Sequence, residues 1–165
     1  MRRRLFLAAV LVLAASEPFA VAQGAPLDSR EAPPWFGTWR LDPATSTRRS
    51  APSPYTKVTL RIEPREDGLA VIYDMVGTRG GVTHMEWTGR FDGRDYAVQG
   101  VDYVLTNAYR LLDDRRYEIV VKVDGRLAAT AIAEVSPDGA TLTVTTAERD
   151  ARGQQVNTIA VYERQ

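Results

Sequence analysis

The chain has no cysteine and a single histidine in 165 residues. Without thiols it can form no disulfide, no thiolate nucleophile and no cysteine-held metal centre, so stability must come from an apolar core and backbone ladders. One histidine, His84, cannot build a multi-histidine metal site, and no Gly-x-Ser-x-Gly elbow accompanies it to suggest a serine triad. No metal and no cofactor are expected. Charge of one sign is also missing: 21 Lys and Arg balance 21 Asp and Glu. Arg48-Arg49 and Arg115-Arg116 are isolated pairs rather than a basic stripe, which argues against nucleic acid as a partner. Gly77 to Gly81 lacks the Lys-Ser/Thr and the helix of a phosphate loop. Asp67 and Asp113-Asp114 read as turn residues rather than paired catalytic carboxylates.

Long apolar runs are absent except at the start. Arg2, Arg3 and Arg4 precede an unbroken apolar stretch, Leu5 to Ala15, and Ala20-Val21-Ala22 then offers a small-x-small cleavage site before Gln23. That order is the signature of a secretory signal peptide, and the run is shorter than the roughly 20 residues a membrane helix needs. Residues 1–22 are therefore expected to be a signal peptide cleaved after Ala22, leaving a periplasmic or secreted protein with no membrane span. Arg3-Arg4-Leu5-Phe6-Leu7 also fits a twin-arginine signal, though ordinary secretion is the simpler reading. Losing residues 1–22 removes three arginines and one glutamate and leaves a formal charge of −2. Residues 23–34, rich in Gly, Ala, Pro and charge, read as a flexible lead-in.

From Trp35 to the end, 35–165, one theme repeats. Short runs rich in Val, Ile, Thr and Tyr alternate with turn signals such as Asp92-Gly93, Asp124-Gly125 and Ser136-Pro137-Asp138-Gly139. The pattern predicts strands over 36–41, 55–63, 69–77, 82–91, 95–99, 103–112, 117–123, 126–135, 140–149 and 155–164. Short links make sequence neighbours pair as antiparallel hairpins, and closing the sheet hides its two edges. The expected fold is all-β: a single antiparallel up-and-down β-barrel of about 8–10 strands.

The first strand reads Trp35-Phe36-Gly37-Thr38-Trp39-Arg40-Leu41 and the last Val161-Tyr162-Glu163-Arg164. The Gly-x-Trp opening resembles lipocalins, and the two ends together resemble fatty-acid-binding proteins; both are calycin-type barrels that wrap small apolar molecules. The chain also resembles secreted bacterial lipocalin-like proteins of unassigned function, through this opening, Trp87 to Tyr96 (Trp-x-x-x-Phe-Asp-Gly-x-x-Tyr) and Ser136 to Thr143 (Ser-x-Asp-Gly-x-x-Leu-Thr). The resemblance implies a small-molecule-binding barrel. One departure stands out. Fatty-acid-binding proteins grip the ligand carboxylate with a tyrosine, matched here by Tyr162, and an arginine two residues earlier, where this chain has Ala160. The gap after the first strand is also too short for that family's two-helix lid.

Closure of the barrel would bring Trp39 to one end, where Arg40 or Arg164 can stack on it. The face of the strand from Val82 to Phe91 decides the functional reading. Following alternation from Val58, Leu60 and Ile62 through Val71, Tyr73 and Met75 with even-length loops puts His84, Glu86 and Thr88 inside. Working back from Asp92-Gly93 puts Trp87 and Phe91 inside with Tyr96 and Val98. A bulge or odd-length turn around Gly77 and Gly80-Gly81 reconciles the two, and exposing Met85, Trp87 and Phe91 together would cost about 1.5–3 kcal/mol per side chain. The expected function is to hold a hydrophobic or amphipathic small molecule against Trp39, Leu60, Ile72, Trp87, Tyr96, Ala131, Val144 and Tyr162. Two alternatives stay open: a barrel isomerase, cyclase or hydratase using His84 and Glu86, and a filled barrel acting through its surface. The stripe Leu127, Ala129, Ala131, Ala133, Val135 fits either a cavity or close wall-to-wall packing.

Overall fold

Apolar residues at every second position, broken by Gly- and Asp-rich turns, fold into ten antiparallel strands in the computed structural model of the chain, which describes residues 32–47, 55–149 and 153–165. The expected signal peptide and all but the end of the 23–34 lead-in lie outside the described residues. The strands are β1 (Gly37–Thr47), β2 (Tyr55–Arg65), β3 (Gly68–Gly77), β4 (Val82–Gly89), β5 (Tyr96–Gln99), β6 (Leu105–Leu111), β7 (Arg116–Val123), β8 (Arg126–Val135), β9 (Thr141–Arg149) and β10 (Gln155–Arg164). Each pairs with its neighbours in sequence, and β1 also pairs with β10, so the sheet is one closed up-and-down barrel. No helix occurs among the described residues. The architecture is compatible with a lipocalin-like, calycin-type fold.

Up-and-down topology gives the barrel two distinct ends. Gly37, Arg164 and the β2–β3, β4–β5, β6–β7 and β8–β9 turns lie at one end, the base. The β3–β4, β5–β6 and β7–β8 turns lie at the other, the mouth. The base is sealed by rings. Trp35 is buried and meets Phe91 and Tyr117 edge-on at 5.4 and 5.8 Å. Trp39 is 0 % exposed and donates its indole N–H to the Trp35 carbonyl at 2.9 Å. Of the two arginines expected to stack on Trp39, it is Arg164 that does so, with its guanidinium carbon 4.1 Å from the ring centroid. The same guanidinium donates to the carbonyls of Gly139 (2.7 Å), Phe36 (2.8 Å) and Pro34, tying the last strand to the chain entering the first. Arg40 sits one residue out of phase and points to the exposed face.

Three local features fix which side chains face inward. The β3–β4 ladder runs without a bulge from Leu69 opposite Gly89 to Val76 opposite Val82, leaving five residues, 77–81, in the turn. This odd count is the phase change the sequence demanded. Gly80 supplies a φ of +81°, and the Gly80 and Gly77 amides close the turn on the carbonyls of Gly77 and Gly81. Met85 and Trp87 consequently join the core while His84 and Glu86 face out.

The second feature lies in β8. Val121 pairs with Ala129 but Lys122 pairs with Leu127, so Ala128 is an extra residue. The bulge removes Leu127 from the expected inward stripe and leaves it 65 % exposed. The third is in β1, which continues to Thr47 instead of ending at Leu41. Pro43 has no N–H to give a ladder, so side chains take over: Asp42 accepts from the Ala44 amide (2.9 Å) and the Thr45 hydroxyl (2.6 Å). Ser46 Oγ donates to the Asp42 carbonyl (2.6 Å) and accepts from the Val161 amide (3.0 Å). The Thr45 hydroxyl, then the Ala44 amide, hold the Asp42 carboxyl below its ordinary pKa.

Not all staves are equally held. β5 has four residues and only two registered pairs on each side, Glu86–Gln99 and Trp87–Val98 with β4, Tyr96–Asn107 and Ala97–Thr106 with β6. The β3–β4 ladder has eight.

Candidate functional site

Register carries the inward face round the whole wall. From base to mouth it reads Leu69, Val71, Tyr73, Met75 on β3; Gly89, Trp87, Met85 on β4; Tyr109, Asn107, Leu105 on β6; Tyr117, Ile119, Val121, Val123 on β7; Ala133, Ala131, Ala129 on β8; and Leu142, Val144, Thr146 on β9. Burial differs from stave to stave: Val58, Met75, Val98 and Leu105 are buried even toward the mouth. Trp39, Leu60, Ile62, Leu69, Trp87, Val135 and Leu142 near the base are fully buried. Inward residues farther up, including Leu41, Tyr73, Met85, Val121, Val123, Val144 and Ala160, are only partly buried although they pack against the core. The lower half of the barrel is therefore filled; the upper half, here called the cup, has an apolar wall that is buried at Val58, Met75, Val98 and Leu105 and partly accessible on β1, β4, β7, β9 and β10.

Tyrosines build the floor of this cup. Tyr73 on β3, Tyr109 on β6, Tyr117 on β7 and Tyr162 on β10 all face inward, the last three buried. Trp87 stacks on Tyr109 with centroids 4.0 Å apart, and Tyr109 stacks on Tyr117 at 5.5 Å, while Tyr96 meets Trp87 edge-on at 5.9 Å. Burial pushes the Tyr73 hydroxyl up to about 12. Burial first, then the charge that a neighbouring phenolate would carry, raises Tyr109, Tyr117 and Tyr162 well above the ordinary value. Tyr73 acts on all three of the others, so the phenols lie within electrostatic reach of one another across the lumen. All four are neutral donors at physiological pH.

Their hydroxyls make no hydrogen bond among the described residues, and neither does the buried Asn107 Oδ1 on the same inner face. The Asn107 carbonyl is occupied, accepting the Trp87 indole N–H at 3.0 Å. Of these atoms Asn107 Oδ1 is cut off from solvent, and a buried polar atom without a partner is uncommon in folded proteins.

The eight residues expected to line the ligand divide into groups. Tyr162, Val144 and Ala131 border the cup. Trp39, Leu60 and Trp87 form its floor. Tyr96 faces inward, but its hydroxyl turns to the base and donates to Asp92 Oδ2 at 2.8 Å. This bond raises the Tyr96 pKa; the Arg94 amide, then the same phenol, hold Asp92 low. Ile72 is misplaced by the expectation. It sits opposite Arg61 and Glu86 on the outer face, out of phase with inward Val71 and Tyr73, and is buried there by its neighbours.

His84 and Glu86 do not form the interior acid–base pair that the enzymatic alternative requires. The His84 side chain is 54 % exposed, and its Nδ1 lies 2.7 Å from Asp74 Oδ1 across the β3–β4 ladder. Arg61 approaches the other Asp74 oxygen at 3.3 Å. This is a solvated charge network on the outer wall, worth little in stability. Among the described residues no group of three or more His, Asp or Glu is placed to hold a metal. Near the mouth, the β8 bulge opens a shallow groove of about 210 Å³ beside Leu127, Ala129, Glu148 and Gln155.

The chain matches no protein-family model and no curated protein sequence. Its functional reading therefore rests on the site itself.

Sequence reasoning missed Tyr73, Tyr109, Tyr117 and Asn107 as candidate site residues. Tyr73 was available from alternation alone, since it shares a face with Val71 and Met75. Tyr109, Tyr117 and Asn107 needed the β5–β6 and β6–β7 registers, which no local signal specifies.

Proposed function

We propose that this protein is an exported carrier that holds one small hydrophobic or amphipathic molecule in the upper half of its barrel. The observation that carries the reading is that inward apolar side chains of β1, β4, β7, β9 and β10 stay partly accessible above a base sealed by Trp35, Trp39 and Arg164. An apolar wall left open to water costs free energy that a ligand of matching character recovers on entering. Export follows from the N-terminal Arg-rich, apolar and Ala-x-Ala pattern.

The outer wall suits an aqueous compartment. It presents Arg61, Asp74 and His84 in cross-strand contact, Glu86 on the same face, and Arg110 and Glu118 paired at 3.8 Å. A barrel with apolar residues inside and charge outside is the reverse of the pattern that membrane-spanning barrels use. No helix among the described residues is long and apolar enough to cross a membrane.

Organic extracts of protein purified from its expression host, examined by mass spectrometry, should contain a co-purifying lipid-like species. A lipophilic dye should brighten on binding and be displaced by that extract. A blank extract, together with no response to any of a panel of lipophilic dyes, would remove the proposal.

A further inference from the structure

We propose that the molecule held in the cup carries an uncharged oxygen head, an ester, ketone or hydroxyl, and that Tyr73, Tyr109, Tyr117 and Tyr162 receive it; the inference rests on the carrier reading above. Four observations meet here. These tyrosines project inward from β3, β6, β7 and β10 at the floor of the cup, and Tyr73 lies within electrostatic reach of the other three. None of the hydroxyls has a hydrogen-bond partner among the described residues, and three of the four residues are more than nine-tenths buried. Asn107 Oδ1, buried on the same face, likewise lacks one. Among the described residues, charge on the inner face lies at its two ends: Arg164 is engaged with Trp39 and three carbonyls at the base, and Glu148 stands exposed at the mouth.

A phenol donates one hydrogen bond, and a carbonyl oxygen accepts two, so a carbonyl head can satisfy two tyrosines at once. An ionised head is poorly served. Among the described residues no inward Lys, Arg or His in the cup offsets its desolvation, and Ala160 stands where a guanidinium would be needed beside Tyr162. The same surroundings that keep the phenols protonated disfavour any anion placed among them.

The test is a matched series with one hydrocarbon tail: dodecane, dodecanol, methyl dodecanoate and dodecanoate. Binding to the intact mature chain is followed at about pH 8, where the acid is fully ionised, by tryptophan emission, since Trp87 stacks on Tyr109, and by displacement of a lipophilic dye. The ester and alcohol are expected to bind at least roughly tenfold more tightly than the carboxylate. Tyr73→Phe with Tyr162→Phe keeps both rings and should weaken the ester roughly tenfold while leaving dodecane unchanged. If the double variant does not fold, Tyr73→Phe alone, at the partly open position, should still weaken the ester about threefold. Carboxylate binding as tight as the ester, or a folded Phe variant with undiminished ester affinity, overturns the inference and leaves the carrier reading standing. Failure of every probe, dodecane included, removes both.

Discussion

At the scale of single residues, the base is governed by Arg164 and by Gly89, which leaves room for two rings. Arg164 combines a stacked cation with a fork of three carbonyl contacts. Arg164→Ala should cost about 2 kcal/mol, and Arg164→Lys should recover less than half, because an ammonium cannot reproduce the planar fork. Chemical denaturation of the two variants checks both numbers. Gly89 is required for a different reason: a Cβ there would lie 2.5 Å from Trp87 Cζ2 and 2.8 Å from Tyr96 Cδ2. Gly89→Ala should destabilise by about 1–3 kcal/mol through displaced rings, seen as a lowered denaturation midpoint. Neither the Gly89 contact nor the tyrosine cluster was legible residue by residue, because both depend on partners from strands far away in sequence.

At the scale of elements, β4 gives the sharpest test of register. Trp87 is 2 % exposed and its neighbour His84 lies on the other face. Trp87→Ala should cost about 3–5 kcal/mol, whereas His84→Ala should stay within about 0.5 kcal/mol of the parent. Equal effects in equilibrium unfolding would mean the strand is phased wrongly. Much of this level could be read from sequence. Ten strands, nearly all their turns and the closed barrel follow from alternation between Gly-Asp signals, and the conflict over β4 pointed to the glycine-rich turn where the odd count lies. What could not be read was local irregularity. The β8 bulge has no composition signal, so Leu127 was grouped with Ala129. Ile72, expected among the lining residues, is an apolar residue buried on the outer wall opposite Arg61 and Glu86.

At the scale of the whole molecule, four interior phenols link stability to alkali. Their pKa values are raised in the folded state, to about 12 for Tyr73 and well above the ordinary value for Tyr109 and Tyr162. A group that binds its proton more tightly when folded adds stability below its unfolded pKa of about 10, and that stability is lost as pH rises past it. Unfolding free energy should be level with respect to these groups up to about pH 9 and fall steadily above about pH 10. The ultraviolet signal of tyrosinate from these residues should appear together with loss of near-ultraviolet dichroism. Ionisation of all seven tyrosines near pH 10 with the fold intact would contradict the buried cluster. The short attachment of β5 has a separate consequence. With two rungs on either flank, it is the slat that breathes first, and amide deuteration at Ala97 and Val98 should outpace that at Ile119 in the long β7 ladder. A transient slit there would open beside Trp87 and Asn107, offering a lateral door to the tyrosines that bypasses the mouth.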